Sequence, residues 1–297
     1  MPLEQIAGAP LAKFNPPGLG WHRDMQDYRD YTPQSAPVQE LLGQLPIGSE
    51  AGEKRPESVD LRAYFPAVYN QREIHSSTAQ VCVGLVEYFD NRAFGKSREP
   101  ASLFLHQMLR KLLRTKDDIG ISLRTAFKAM IRFGIPPEPY WPYEPEKLEL
   151  EPEAFLYSFA SAYQSIRYLR LDLRNSTGAQ SLNVLRAFLA AGFPVGFGFP
   201  VPSSISSDGT VPYRPTIDSI RGGQAVVAVG YDDRRIGPTR GALLFRNSWG
   251  SQWGEGGYGW LPYRYVEEQL AVDFWTIISP QWMETGEFMQ PQLVATP

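Results

Sequence analysis

The sequence predicts an α+β protein of two lobes: a mainly helical lobe, then a lobe of antiparallel strands curled into a barrel-like sheet, with a cleft between them. Three observations carry that prediction. Between residues 77 and 133 apolar side chains recur at helical spacing. After residue 193 short apolar runs alternate with glycine-rich turns, the pattern of an antiparallel sheet. The 24 residues from Pro200 to Gly223 separate two of those runs, and connections of that length often serve function.

The elements follow in order. Residues 1–54 are rich in proline, glycine and charge and read as an extended arm, laid on a core through Trp21, Tyr28 and Tyr31, with a short helical turn near Val38 to Leu45. Residues 55–165 form the helical lobe. Its first helix covers about 77–93 and aligns Thr78, Val81, Cys82, Leu85 and Phe89 on one face. Ser77 is expected as the N-cap of that helix, closing a capping box with Gln80 that satisfies two orphaned backbone donors. A second helix covers about 102–114 and buries Leu105, Met108, Leu109 and Leu112. A third starts after Ser122 and stops at Gly134, ahead of Pro136 and Pro137. Residues 166–280 form the β lobe, opened by a helix over about 179–191. Strands are expected at 194–199, 224–231, 242–246, 258–261 and 272–278. Residues 281–297 are a C-terminal tail.

Composition narrows the function. Across 297 residues, 29 basic and 32 acidic side chains leave a net charge of −3, which argues against a protein built to hold nucleic acid or an anionic membrane. No apolar run approaches the roughly 20 residues of a membrane span, and the first residues lack a basic and apolar signal pattern, so a cytoplasmic location is expected. One cysteine, Cys82, rules out an internal disulfide framework and any cysteine-rich zinc site. Three scattered histidines, His22, His75 and His106, leave little for a metal centre, so no metal and no cofactor is expected.

Three segments together resemble the papain-like cysteine peptidase family, particularly its bacterial branch. They are Pro56 to Arg62 with Val68-Tyr69-Asn70-Gln71, then Gly222-Gly223-Gln224-Ala225 running to Asp233, then Phe245-Arg246-Asn247-Ser248-Trp249-Gly250 running to Gly259. The pieces Asp118-Ile119-Gly120 and Trp141-Pro142-Tyr143 fit as well, and Asp27-Tyr28-Arg29-Asp30 is similar to leader segments of bacterial members. The resemblance covers about residues 55–279 and implies the two-lobe fold with its cleft.

Such an enzyme needs a thiolate at a helix N-terminus, an imidazole to take and return its proton, an amide to orient the imidazole, and a glutamine to bind the oxyanion. The resemblance assigns the oxyanion glutamine to Gln71 and the orienting amide to Asn247, shielded by Trp249. Six residues after Gln71, where the family carries cysteine, stands Ser77; after Gly222-Gly223, where it carries histidine, stands Gln224. A lone serine is a poor nucleophile, and glutamine cannot act as its base. The four positions Gln71, Ser77, Gln224 and Asn247 are therefore expected to be vestigial. Arg72, Glu73, Ile74, His75, Gly120, Gly222, Gly223 and Trp249 are expected to line the cleft, the first four replacing the small residues usual in the family. Cys82 reads as a buried small side chain, His106 as a partly buried helix residue, and His75 as a cleft-lining residue in no productive pair with Ser77.

The reading is a catalytically inactive relative that binds a protein or peptide partner or serves a structural role, with no nucleic acid and no membrane; self-association stays open. The alternative is an active hydrolase using Ser77 with an unrecognised base. Trp21, Tyr140, Trp141 and Trp282 are the aromatic residues available for contacts.

Overall fold

The computed structural model of the chain describes residues 14–43, 55–237 and 239–289. The rest of the arm and residues 290–297 of the tail lie outside the described residues. Within the arm, α1 (Ala36–Leu42) begins with Pro37 in its first turn and buries Val38. β1 (Ser58–Asp60) comes next. The helical lobe is built from α2 (Ser77–Phe94), α3 (Ser102–Leu113) and α4 (Leu123–Phe133).

Helix α2 is the centre of the molecule. It packs on α3 and α4 to one side and on the sheet to the other, so it is buried along almost its whole length. It stops at Gly95, whose φ of 72° is the left-handed geometry glycine adopts without a Cβ penalty. Helix α4 shows the simpler logic of a surface helix. Ser122 accepts the Thr125 N–H at its start, and Leu123, Ala126, Phe127 and Met130 face the core.

The second half contributes β2 (Arg167–Arg170), α5 (Gly178–Ala190), β3 (Val195–Pro202), β4 (Ile220–Ile236), β5 (Arg240–Arg246), β6 (Tyr258–Pro262), α6 (Arg264–Glu267), β7 (Val272–Ile278) and α7 (Pro280–Met283). The strands form one antiparallel sheet in the order β2-β7-β3-β4-β5-β6, and β1 joins β4 where β3 leaves it, pairing Val59 with Tyr231. The barrel-like expectation is corrected here, because the sheet is open. Its two outer edges are covered separately: Val211 N–H donates to Trp260 O beside β6, and Arg170 N–H of β2 donates to Tyr31 O of the arm. Backbone passing along an edge takes up groups that would otherwise be free to pair with another strand.

Some local expectations also change. The capping box is at Thr177 and Gln180, opening α5, and not at Ser77 and Gln80. β4 runs well past its apolar stretch, because its ends pair through backbone while Ile220 and Ile236 face solvent. β2 has no apolar alternation and was not anticipated. Trp21 is buried, but Tyr28 is 94% and Tyr31 38% exposed. Beyond Trp21 the arm is also held by charge: Arg124 pairs with Asp24 and Asp30, each at 2.6 Å. Of the four aromatic residues proposed for contacts only Tyr140 is exposed. Trp282 of the tail stacks on Phe89 of α2 with ring centroids 4.8 Å apart, which ties the C-terminal segment to the helical lobe.

Candidate functional site

The loop before α2 and the start of β4 meet across the cleft. The Gln71 N–H donates to Ser248 O at 2.8 Å, fixing the loop against the Asn247 segment. Arg72 follows with a φ of 51°, a left-handed conformation that turns the chain sharply toward α2. Ser77 is the first residue of α2, and Ser76 holds the N-cap position without a side-chain cap. The N-cap expectation for Ser77 is thus corrected. Tertiary partners have taken the hydroxyls and amides that a capping box would use. Ser77 Oγ accepts the Ala225 N–H at 3.2 Å, Ser76 Oγ bonds the Tyr143 hydroxyl at 2.7 Å, and Gln80 Nε2 donates to Ser102 Oγ at 3.0 Å.

Gln224 sits at the hub of a buried amide network. Its Nε2 lies 3.0 Å from Gln71 Oε1, 3.0 Å from Asn247 Oδ1 and 3.3 Å from Ser248 Oγ. Two N–H groups serve the first two acceptors best. Ser248 closes the ring, donating its hydroxyl to Gln71 Oε1 at 2.6 Å and its N–H to Asn247 Oδ1 at 2.9 Å. Gln71, Ser77, Gln224 and Asn247 are all buried, so the four residues singled out from the sequence do come together. Their bonds are amide to amide and amide to hydroxyl, with no ionisable group among them.

The remaining face of Gln71 is taken by the arm. Gln71 Nε2 donates to Gly18 O at 2.6 Å and to Ile74 O at 2.9 Å. The arm then follows the cleft: Gly18 N–H to Arg72 O at 3.0 Å, Trp21 N–H to Gly223 O at 3.0 Å, Ile121 N–H to Gly20 O at 3.1 Å. The Trp21 indole lies in a slot made possible by Gly198 and Gly223, where any Cβ would collide with the ring. Sequence reasoning placed the arm on the core but missed that it fills the cleft. The small residues of Pro16-Pro17-Gly18-Leu19-Gly20, which let a backbone lie close to another, were the available signal.

Space of about 930 Å³ remains beside the arm, lined by Arg72, Glu73, His75, Gly120, Gly222 and Gly223 among others. These six, of the eight residues expected to line the cleft, border that space. Ile74 does not: its side chain is buried in the core, and its carbonyl accepts from Gln71 Nε2. Trp249 is buried too, with its ring 5.9 Å from Phe14 of the arm and 5.2 Å from Trp253.

Asp118 is the cleft residue with the most electrostatic character. It accepts the His75 N–H at 3.0 Å, sits 3.1 Å from His75 Nδ1, and lies 2.8 Å from Nε2 of the fully buried His106. Burial alone would raise its carboxyl, but the bonds from His106 and His75 outweigh it and hold it at about 2. The His75 ring is bonded to Asp118 through Nδ1, and Ser77 Oγ is bonded to the Ala225 backbone amide. Cys82 lies inside α2 with its thiol pushed up by burial, unsuited to act as a thiolate. Among the described residues no group of three or more histidine, cysteine or acidic side chains is placed to hold a metal ion.

Comparison with known proteins bears on the same region. The sequence model described as papain family cysteine protease matches residues 55–270. An uncharacterized peptidase C1-like protein of Acanthamoeba polyphaga mimivirus is 34% identical over 186 residues, which span 60% of this chain and 58% of that protein. Xylellain, a cysteine protease from Xylella fastidiosa, has a similar structure at 29% identity and a TM-score of 0.67, covering 91% of this chain and 99% of its own. A digestive procathepsin from Tenebrio molitor larval midgut shares the fold at 21% identity, with a TM-score of 0.61 over 89% of this chain and 78% of its own.

Proposed function

The chain belongs to the papain family of cysteine proteases, and from that premise we propose that it is a member without peptidase activity, whose cleft binds a peptide or protein partner instead of cutting one. One observation carries the reading. The place of the proton acceptor is held by Gln224, whose side-chain N–H groups are engaged with Gln71 and Asn247, while Ser77 Oγ is engaged with the Ala225 N–H. Acyl transfer needs a base that takes the nucleophile's proton, and an amide side chain does not do so near neutral pH. Loss of either member of such a unit typically removes several orders of magnitude in rate.

The cleft already holds a peptide in extended form, its own arm, through backbone bonds to Arg72, Ile121 and Gly223. A partner segment would use the same donors and acceptors and the same indole slot. The similarity to xylellain over nearly the whole chain supports a place in the bacterial branch. The single unpaired cysteine supports a reducing compartment, and we place the protein in the cytoplasm.

The test is peptide hydrolysis by the purified chain and by a variant lacking residues 1–22, against a mixed fluorogenic peptide library. No turnover, and no labelling of Ser77 by a fluorophosphonate, is the expected result. Hydrolysis that survives purification to homogeneity and vanishes in Ser77→Ala would overturn the proposal.

A further inference from the structure

Behind the loop that carries Gln71 lies a second, separate pocket of about 270 Å³, and Arg72 stands in the wall between it and the cleft. Its lining includes Tyr69, Gln80, Ser102, Glu138 and Tyr143. Gln80 is 3% exposed; its Nε2 is used by Ser102, but its Oε1 accepts no hydrogen bond. A buried acceptor left unmatched costs free energy, so this oxygen is a site for a donor. Nearby, Glu138 accepts the Tyr143 N–H at 2.7 Å and enters no ion pair among the described residues, while Lys147 is paired with Glu144 at 3.1 Å. Arg72 likewise enters no ion pair among the described residues, and its backbone N–H is held by Asn70 Oδ1 at 2.9 Å.

The pocket thus offers one unpaired carboxylate, one unpaired guanidinium and one orphaned amide oxygen within a volume suited to a few heavy atoms. We propose that it binds a small amino acid zwitterion. The ammonium, with three N–H donors, is matched by Glu138 and Gln80 Oε1; the carboxylate is matched by the planar guanidinium of Arg72. Neither a simple cation nor a simple anion satisfies both charged walls. Because Arg72 O also accepts the arm's Gly18 N–H, the ligand would rest against the segment that holds the arm. This site is distinct from the amide network and stands whether or not the cleft is active.

The experiment titrates the full chain with glycine, and separately with acetate and with methylammonium at matched ionic strength, following the side-chain amide signals of Gln80 by nitrogen-edited NMR. The signals are assigned by their loss in Gln80→Met. The expected result is a saturable shift with glycine, at least about tenfold tighter than with either fragment, and weakened about tenfold by Glu138→Gln and by Arg72→Gln. Arg72 is solvent-exposed, so its variant keeps the test alive if Glu138→Gln does not fold. A shift that does not saturate, that either fragment reproduces at equal affinity, or that the folded variants leave unchanged overturns the proposal.

Discussion

Replacing Gly198 by alanine should release the arm from the cleft while leaving the sheet intact. Gly198 lies in the middle of β3, paired with Ala225 and Val272, in extended backbone that alanine adopts freely. Its missing Cβ is the room occupied by the Trp21 indole, since an added methyl would fall within the ring. The ring must therefore leave. Losing a buried tryptophan side chain costs about 3–5 kcal/mol, which lowers the closed-to-open ratio of the arm by about two to four orders of magnitude. At low protease concentration cleavage follows the population of the open form. Trypsin cleavage after Arg23 and Arg29, read by mass spectrometry, should accelerate accordingly. Two outcomes would refute the reasoning. One is a cleavage rate within about threefold of the parent. The other is an equal acceleration by Gly198→Ala in a Trp21→Ala background, where no ring remains to be displaced and the substitution should be silent.

Further expectations concern charge and chemistry. Arg124→Ala removes the anchor of Asp24 and Asp30 and should speed the same arm cleavage, with a smaller effect at high salt than at low salt. Ser77→Cys with Gln224→His, in a chain lacking residues 1–22, should give a thiol that iodoacetamide alkylates near pH 6, because the first residue of an 18-residue helix feels its positive end; an inert double variant would mean that the Arg72–Ser76 loop blocks the site. Native Cys82 should resist thiol reagents until the chain unfolds and then react, and labelling of the folded parent would contradict its burial. Burial raises the Glu87 carboxyl to about 7, from 4.5. The folded chain then binds that proton more tightly than the unfolded chain, so the contribution is present below about pH 4.5 and is lost as pH rises through 7. Glu87→Gln should flatten the fall of thermal stability over that window, and an unchanged slope would show that the carboxyl titrates normally. Asp273, raised to about 6 by burial, works in the same direction, whereas Asp118, held at about 2, stabilises above the usual carboxylate range and loses its effect only in strong acid.

Much of this molecule was legible before its structure. Helices α2, α3 and α4 are marked by apolar spacing and by Ser122 and Gly134 at the ends of α4, because local backbone chemistry fixes them. The meeting of Gln71, Ser77, Gln224 and Asn247 was legible only through the resemblance, since residues so far apart in sequence meet through tertiary contacts alone. Ser77 as an N-cap was misread because a serine at a helix start normally caps; here a β4 amide competes successfully for its oxygen. Ile74 was misread because a side chain in a cleft-edge loop can turn inward, and alternation says nothing about a loop. The Asp118–His75–His106 cluster joins three segments of unremarkable local pattern, and nothing short of the fold brings them together.

The Gly18 carbonyl on Gln71 Nε2 and the indole between Gly198 and Gly223 have a consequence for any partner. A tethered segment competes at an effective concentration in the millimolar range for short flexible tethers. A free peptide that matches the arm contact for contact would then bind with an apparent affinity reduced by the fraction of time the cleft stands open. A productive partner must therefore hold the protein at a second place, such as the surface the displaced arm uncovers around Arg124, and gain by avidity what the occupied cleft denies it.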